Sequence, residues 1–160
     1  MKNSVLIHHS RPPQFEYSRI TNHIYIGNNL CCTANLHKDL IKKNVEADLS
    51  LEYKKLDAPF GVKYYLWLPT KNYYAPSREQ LIIALKFIDF CVSNNIKVLV
   101  HCELGHTRAP TVVAAYFMSK GMNIKEAIRK VKEKRPAIHL TDMQKSGLKK
   151  FERLLESGKV

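Results

Sequence analysis

The stretch Val98-Leu99-Val100-His101-Cys102-Glu103-Leu104-Gly105-His106-Thr107-Arg108-Ala109-Pro110 constrains this chain more than any other. Lys97 to Val100 is a short apolar run and reads as a buried strand. Pro110 marks a helix start near its first position, where a missing N–H costs nothing. A tight turn between a buried strand and a helix points several backbone N–H groups into one concavity, and the helix N-terminus adds partial positive charge there. The expectation is a cradle for a dianionic phosphate, with backbone N–H groups supplied by Glu103, Leu104, Gly105, His106 and Thr107. Cys102 opens the turn, where its sulfur would face the phosphorus, and the same field favours a thiolate. Arg108 closes it with a planar fork that can take two phosphate oxygens at once. Gly105 permits a backbone angle or a close approach that a side chain would block. Cys-x5-Arg alone is common by chance. Here the strand, His101, the glycine, the arginine and the helix-opening proline all agree.

The rest of the chain reads as one domain of alternating strands and helices. Its 160 residues fit a single domain, and 45% hydrophobic and 25% charged residues are ordinary for a globular one. Residues 1–16, with Arg11-Pro12-Pro13, read as an irregular lead-in, and 17–157 as the folded unit. Ile24 to Gly27 reads as a short strand, and Thr33 to Lys43 carries apolar residues at helical spacing. Ala47 to Tyr53 and Val62 to Leu68 read as strands, with Trp67 in the core. Ser77 with Gln80 forms a capping-box pattern that opens a helix through Asn94. Leu81, Ile82, Leu85, Ile88 and Val92 form its inward stripe. Further helices are expected from Pro110 to Lys120, stopped by Gly121, from Ile124 to Lys134 behind an Asn123 cap, and after a Thr141 cap with Met143, Leu148 and Phe151 inward. This is an α/β pattern, a sheet covered by helices on both faces.

The four cysteines, Cys31, Cys32, Cys91 and Cys102, contain no Cys-x-x-Cys pair. A zinc site or a disulfide scaffold is therefore not expected. Reduced thiols in a cytoplasm fit best, with Cys91 in the core. No run approaches the ~18 apolar residues of a membrane span, and the N-terminus has too short an apolar run for a signal peptide. His8-His9, His23, His37 and His139 make no ligand spacing and are expected at the surface. Net charge is +12, and 12 basic against 5 acidic residues lie from Lys120 onward. Such a surface attracts anions without choosing among phosphoprotein, lipid and nucleic acid.

His-Cys-x2-Gly-x2-Arg resembles the signature of the cysteine-based protein phosphatases in their small dual-specificity branch. Ile24-Tyr25-Ile26-Gly27, Leu68-Pro69, Ala75-Pro76-Ser77, Pro110 to Tyr116, Arg135-Pro136 and Gln144-x3-Leu148 extend the likeness over most of the chain. The resemblance implies a central, mostly parallel sheet flanked by helices and hydrolysis of phosphorylated protein without metal or cofactor. Cys102 would form a phosphocysteine, Arg108 would stabilise the transition state, and His101 would tune the thiolate from behind the loop. Gln144 matches the residue that positions water for the second step; a lone Gln on a surface helix is otherwise simply solvated.

Two positions depart from that pattern. The family's general acid is an aspartate about thirty residues before the cysteine, and Asn72 stands in its slot. General acid help is typically worth ~10²–10⁴-fold. Its loss hurts least when the leaving group is a phenol, so phosphotyrosine is favoured over phosphoserine. Asp57 and Glu103 are substitutes for the missing acid. Ala109 replaces a usual hydroxyl, as in the phosphatases of regenerating liver, so the phosphoenzyme should linger. Three rival functions remain. The first is a pseudophosphatase that grips phosphorylated partners. The others are a phosphoinositide phosphatase, which Glu103 disfavours, and an RNA 5′-phosphatase, which the basic C-terminal quarter permits but no aromatic-basic interleaving supports. Oligomeric state is not legible.

Overall fold

The computed structural model describes residues 14–57, 59–158 and 160. Arg11-Pro12-Pro13 and His8-His9 lie outside them. Five strands form one sheet: β1 (Tyr17–Arg19), β2 (Ile24–Gly27), β3 (Val45–Ser50), β4 (Tyr64–Trp67) and β5 (Lys97–His101). Their order is β1-β2-β5-β3-β4. Only the β1–β2 pair is antiparallel; the β2–β5, β5–β3 and β3–β4 pairs are parallel, with β5 in the centre. The expected mostly parallel sheet is thus observed.

Alternation along β5 decides what lies on each face. Val98 and Val100 join Ile24, Ile26, Ala47 and Leu49 under α2 (Arg78–Ser93), α3 (Arg108–Ser119), α4 (Ile124–Lys134) and α5 (Asp142–Glu156). Leu99 points the other way, with Tyr25 and Val45, beneath Leu36, Leu40 and a 3-10 turn at Asn29–Cys32. That second cover includes only the short α1 (Lys38–Lys42), so the helix read across Thr33 to Lys43 shrinks to five residues. It starts where His37 Nδ1 accepts from Asp39 N; Thr33-Ala34-Asn35 have no such start signal.

All three capping signals stand as read. Ser77 with Gln80, Asn123 with Glu126 and Thr141 with Gln144 each form a complete capping box. Leu148 and Phe151 are fully buried, which stabilises by about 1.5–3 kcal/mol each. Two core assignments are corrected. Met143 is exposed because it lies in the first turn of α5, off the Leu148–Phe151 stripe. Trp67 is also largely exposed because β4 is an edge strand; its indole N–H donates to Glu52 O at 2.7 Å. Cys91 is buried as expected, and burial pushes its thiol up to about 11. Cys31 and Cys32 are joined to each other in the structure, which corrects the reading of all four cysteines as free thiols. Among the described residues, no helix is long and apolar enough to cross a membrane.

Candidate active site

β5 is flanked on both sides by parallel strands, so its carboxyl end is fixed, and Cys102 follows it directly. The loop then turns through Gly105, whose φ of 68° is left-handed. A Cβ there would sit 2.5 Å from Gly27 O, so the end of β2 backs the turn and only glycine fits. α3 begins at Arg108, two residues before the expected proline start. Pro110 still falls among the first four positions, whose N–H groups have no partner within the helix. Thr107 makes no side-chain capping bond, unlike the caps of α2, α4 and α5. The open end of α3 therefore faces the loop with its N–H groups uncapped.

Arg108 is 2% exposed. Its Nη1 donates to Leu51 O at 2.9 Å and Thr70 O at 2.8 Å, which ties it to the ends of two neighbouring segments. Nη2 lies 3.7 Å from Glu52 Oε1 and 3.8 Å from Glu103 Oε2, and Nε has no hydrogen-bond partner. One edge of the guanidinium is anchored and the other can take an anion. Burial raises the pKa of Glu52, and the opposing pull of Arg108 does not cancel it.

His101 is fully buried behind the loop. Its Nε2 lies 3.3 Å from Asp48 Oδ1, 3.6 Å from Asp57 Oδ2 and 3.8 Å from Cys32 Sγ. Burial alone would lower the imidazole pKa; the carboxylates of Asp48, Asp57 and Glu52 outweigh it and hold it above its ordinary value. Protonation is therefore favoured by folding. That stabilisation is complete below the unfolded value of about 6.5 and fades as pH rises through the raised folded value. Glu52 acts with the same sign, from 4.5 upward. The urea midpoint should thus fall between pH 6 and pH 9, and Asp48→Asn should shrink that fall. Equal slopes in the two proteins would contradict it.

Cys31, Cys32 and His101 bring ligand-type atoms within 4.8 Å of one another. The bond between the two sulfurs removes them as thiolate donors, so the cluster does not present a metal centre.

A cavity of about 200 Å³ opens over the loop, lined by Cys102, Glu103, Leu104, His106, Thr107 and Arg108 together with Asn72, Tyr73 and His139. A second, of about 170 Å³, lies beside it and adds Asn29, Glu52, Tyr53, Lys54 and Lys55. Asn72, Glu103 and Arg108 line both. Asn72 Nδ2 donates to Glu103 Oε2 at 2.9 Å, so the two expected site residues meet at the mouth. Asp57 does not reach it: its side chain is buried behind the loop, accepting from Ser50 Oγ at 2.7 Å. Gln144 is buried rather than solvated, accepts from Thr141 N at 3.0 Å and donates to Tyr74 O at 3.3 Å. It lines neither cavity. His139, expected as an ordinary surface histidine, stands in the wall, 5.6 Å ring to ring from His106.

The residue that sequence reasoning missed is Arg135. In sequence it reads as the end of α4 and, with Pro136, as part of the family likeness, with no site role; yet it is buried and donates to Gly105 O at 2.8 Å, Leu104 O at 3.1 Å and Ser18 Oγ at 3.2 Å. It holds the outer side of the loop, which turns carbonyls outward and leaves N–H groups for the hollow. Burial lowers its pKa, but an arginine stays charged.

Comparison with known proteins places the chain in a family and supports its fold. The family model "Dual specificity phosphatase, catalytic domain" matches residues 24–154. Protein-tyrosine-phosphatase IBR5 of Arabidopsis thaliana is 40% identical over 70 residues, 43% of this chain and 27% of that protein. The chain thus spans about a quarter of that relative. The crystal structure of human DUSP28 superposes with a TM-score of 0.79 at 19% identity, covering 88% of this chain and 99% of that one. PTPMT1 in complex with PI(5)P superposes with a TM-score of 0.74 at 20% identity, covering 90% and 99%. At those identities the two structures speak for the fold alone.

Proposed function

The chain belongs to the dual-specificity phosphatase family, and from that premise we propose that residues 17–157 form a phosphomonoester hydrolase acting on phosphorylated protein, with phosphotyrosine favoured. The observation that carries the reading is the placement of Cys102 at the floor of a hollow whose other end holds a half-anchored Arg108.

The dianion is captured by the loop N–H groups and the free edge of Arg108. The Cys102 thiolate attacks phosphorus in line with the ester oxygen. The P–O bond breaks, the alcohol or phenol leaves with a proton, and a phosphocysteine forms. Water then attacks that phosphorus, the S–P bond breaks, and inorganic phosphate departs. Splitting one hard step into two lowers each barrier. A protonated His101, one residue from Cys102, adds positive charge behind the sulfur. Arg135 is a positioning residue. A reducing, cytoplasmic location suits a mechanism that needs a free thiolate.

Phosphotyrosine is favoured on two grounds. Tyr73, Leu104 and His139 offer a rim for a ring, and a phenol with a pKa of about 10 leaves more easily than an alcohol. On a matched peptide panel, phosphotyrosine should be released at least about tenfold faster than phosphoserine, a fraction of the ~10²–10⁴-fold that proton transfer contributes. Equal rates would refute the preference. A phosphoinositide, as bound by PTPMT1, is the second reading; Glu103 at the mouth repels a polyanionic headgroup, which sets it behind. Asn72 and Ala109 favour the binding-only reading; phosphate release in the same panel would overturn it, and none would support it.

A further inference from the structure

We propose that Glu103 is the proton donor to the leaving group, with Asn72 as the residue that aims it. The inference rests on the phosphatase reading above and supplies the acid that Asn72 itself cannot be. A carboxamide has no proton to give at neutral pH, but it can hold a neighbouring carboxyl in place.

Position singles out Glu103. Among the described residues it contributes the one carboxyl group lining the cavity that contains Cys102. Its side chain is half exposed, as a group that must exchange protons with water should be. The other nearby carboxyls do not line that cavity. Asp48 and Asp57 are buried against His101, and Glu52 is buried and lines only the second cavity.

Support from neighbours fixes the carboxyl. Asn72 Nδ2 donates to Oε2 at 2.9 Å, and a carboxyl held through one oxygen can carry its proton on the other. Asn72 is itself tethered. Thr70 O accepts from Arg108, Thr141 Oγ1 donates to Tyr73 O at 2.6 Å, and Gln144 Nε2 donates to Tyr74 O at 3.3 Å. On the loop side, Asn29 N donates to Glu103 O at 3.2 Å. In this arrangement the loop before α2 supplies the amide and the phosphate loop supplies the acid.

The step balances. As Cys102 forms the S–P bond, the P–O bond breaks and the Glu103 proton passes to the departing oxygen, leaving a carboxylate. That carboxylate then takes a proton from the water that attacks the phosphocysteine, which restores the acid. Arg108 Nη2 lies 3.8 Å from Glu103 Oε2. Besides Cys102, the remaining charged or titratable groups around the two cavities are Glu52, Tyr53, Lys54, Lys55, Tyr73, His106 and His139.

The test is a series of aryl phosphates from para-nitrophenyl, which leaves with little help, to phenyl, which needs the proton. Glu103→Gln should lose several-fold on the first and about 10²-fold on the second, within the usual range for a general acid. The loss should sit in kcat, since a carboxamide of the same shape leaves the anion-binding groups in place. The alkaline limb of the kcat–pH profile should vanish. Asn72→Ala should retain that limb at a shifted pH, and N72D/E103Q should recover much of the phenyl phosphate rate. Equal losses on both esters, a loss confined to KM, or a limb that disappears instead in His139→Gln would overturn the assignment. Wild-type protein that is folded but releases phosphate from no ester would remove the phosphatase reading as a whole, a result distinct from a silent Glu103→Gln.

Discussion

Cys102→Ser is expected to cut hydrolysis of an aryl phosphate by about 10⁴-fold or more, in line with the loss of an activated nucleophile elsewhere. The sulfur sits 2% exposed at the floor of the hollow, directly after the central strand. A serine hydroxyl fits that space but is not ionised at neutral pH, so the field of the loop and the α3 end has no anion to stabilise. Binding is expected to survive, because the N–H groups, Arg108 and Arg135 are untouched. Calorimetry with a phosphotyrosine peptide should give a Kd within a few-fold of that for inorganic phosphate competition in the wild type, while phosphate release falls to background. Hydrolysis retained within tenfold would show that another group attacks, and the covalent mechanism would be wrong.

Arg135→Ala is expected to cost both stability and turnover. Its guanidinium satisfies the carbonyls of Leu104 and Gly105 and reaches Ser18 in β1. Removing it strands one buried and one part-buried acceptor at about 1–3 kcal/mol each, so about 2–6 kcal/mol in all. For a chain of this size that lowers Tm by about 4–24 °C. Without the outer clamp the loop can turn carbonyls inward, and kcat/KM should fall about 10²-fold, the cost of a small misplacement at a reacting centre. Arg135→Lys should recover only part of either loss, since one ammonium cannot match a fork that spans three acceptors. A Tm within 2 °C of wild type, with unchanged kcat/KM, would remove Arg135 from the loop's support.

The contrast between Cys102 and Arg135 shows what the sequence can carry. The phosphate loop was legible because every part of it is contiguous: strand, cysteine, glycine, arginine and helix start fall within 14 residues of one another, from Lys97 to Pro110. The capping boxes were legible for the same reason, each spanning four residues. Arg135 carries a local message, the end of α4 before a proline, and that message hid its second role, because its partners lie 30 residues and more away. The Asn72–Glu103 bond spans 31 residues and was equally invisible, although both residues drew attention singly. Trp67 was misplaced because hydrophobicity marks a strand but not whether that strand is an edge. The burial of Gln144 was not legible because its grip on Tyr74, 70 residues away, depends on how α5 docks.

Arg108 spans the ends of the β3 and β4 segments through Leu51 O and Thr70 O, and this has a consequence for ligand capture. A free arginine side chain carries about 2 kcal/mol of rotamer entropy, which an incoming anion would ordinarily have to overcome. Here the chain immobilises that side chain when the sheet forms, before any ligand arrives. Catching an oxyanion then requires no search by the guanidinium, and the strength of the grip becomes a property of how well those two strand ends are held together.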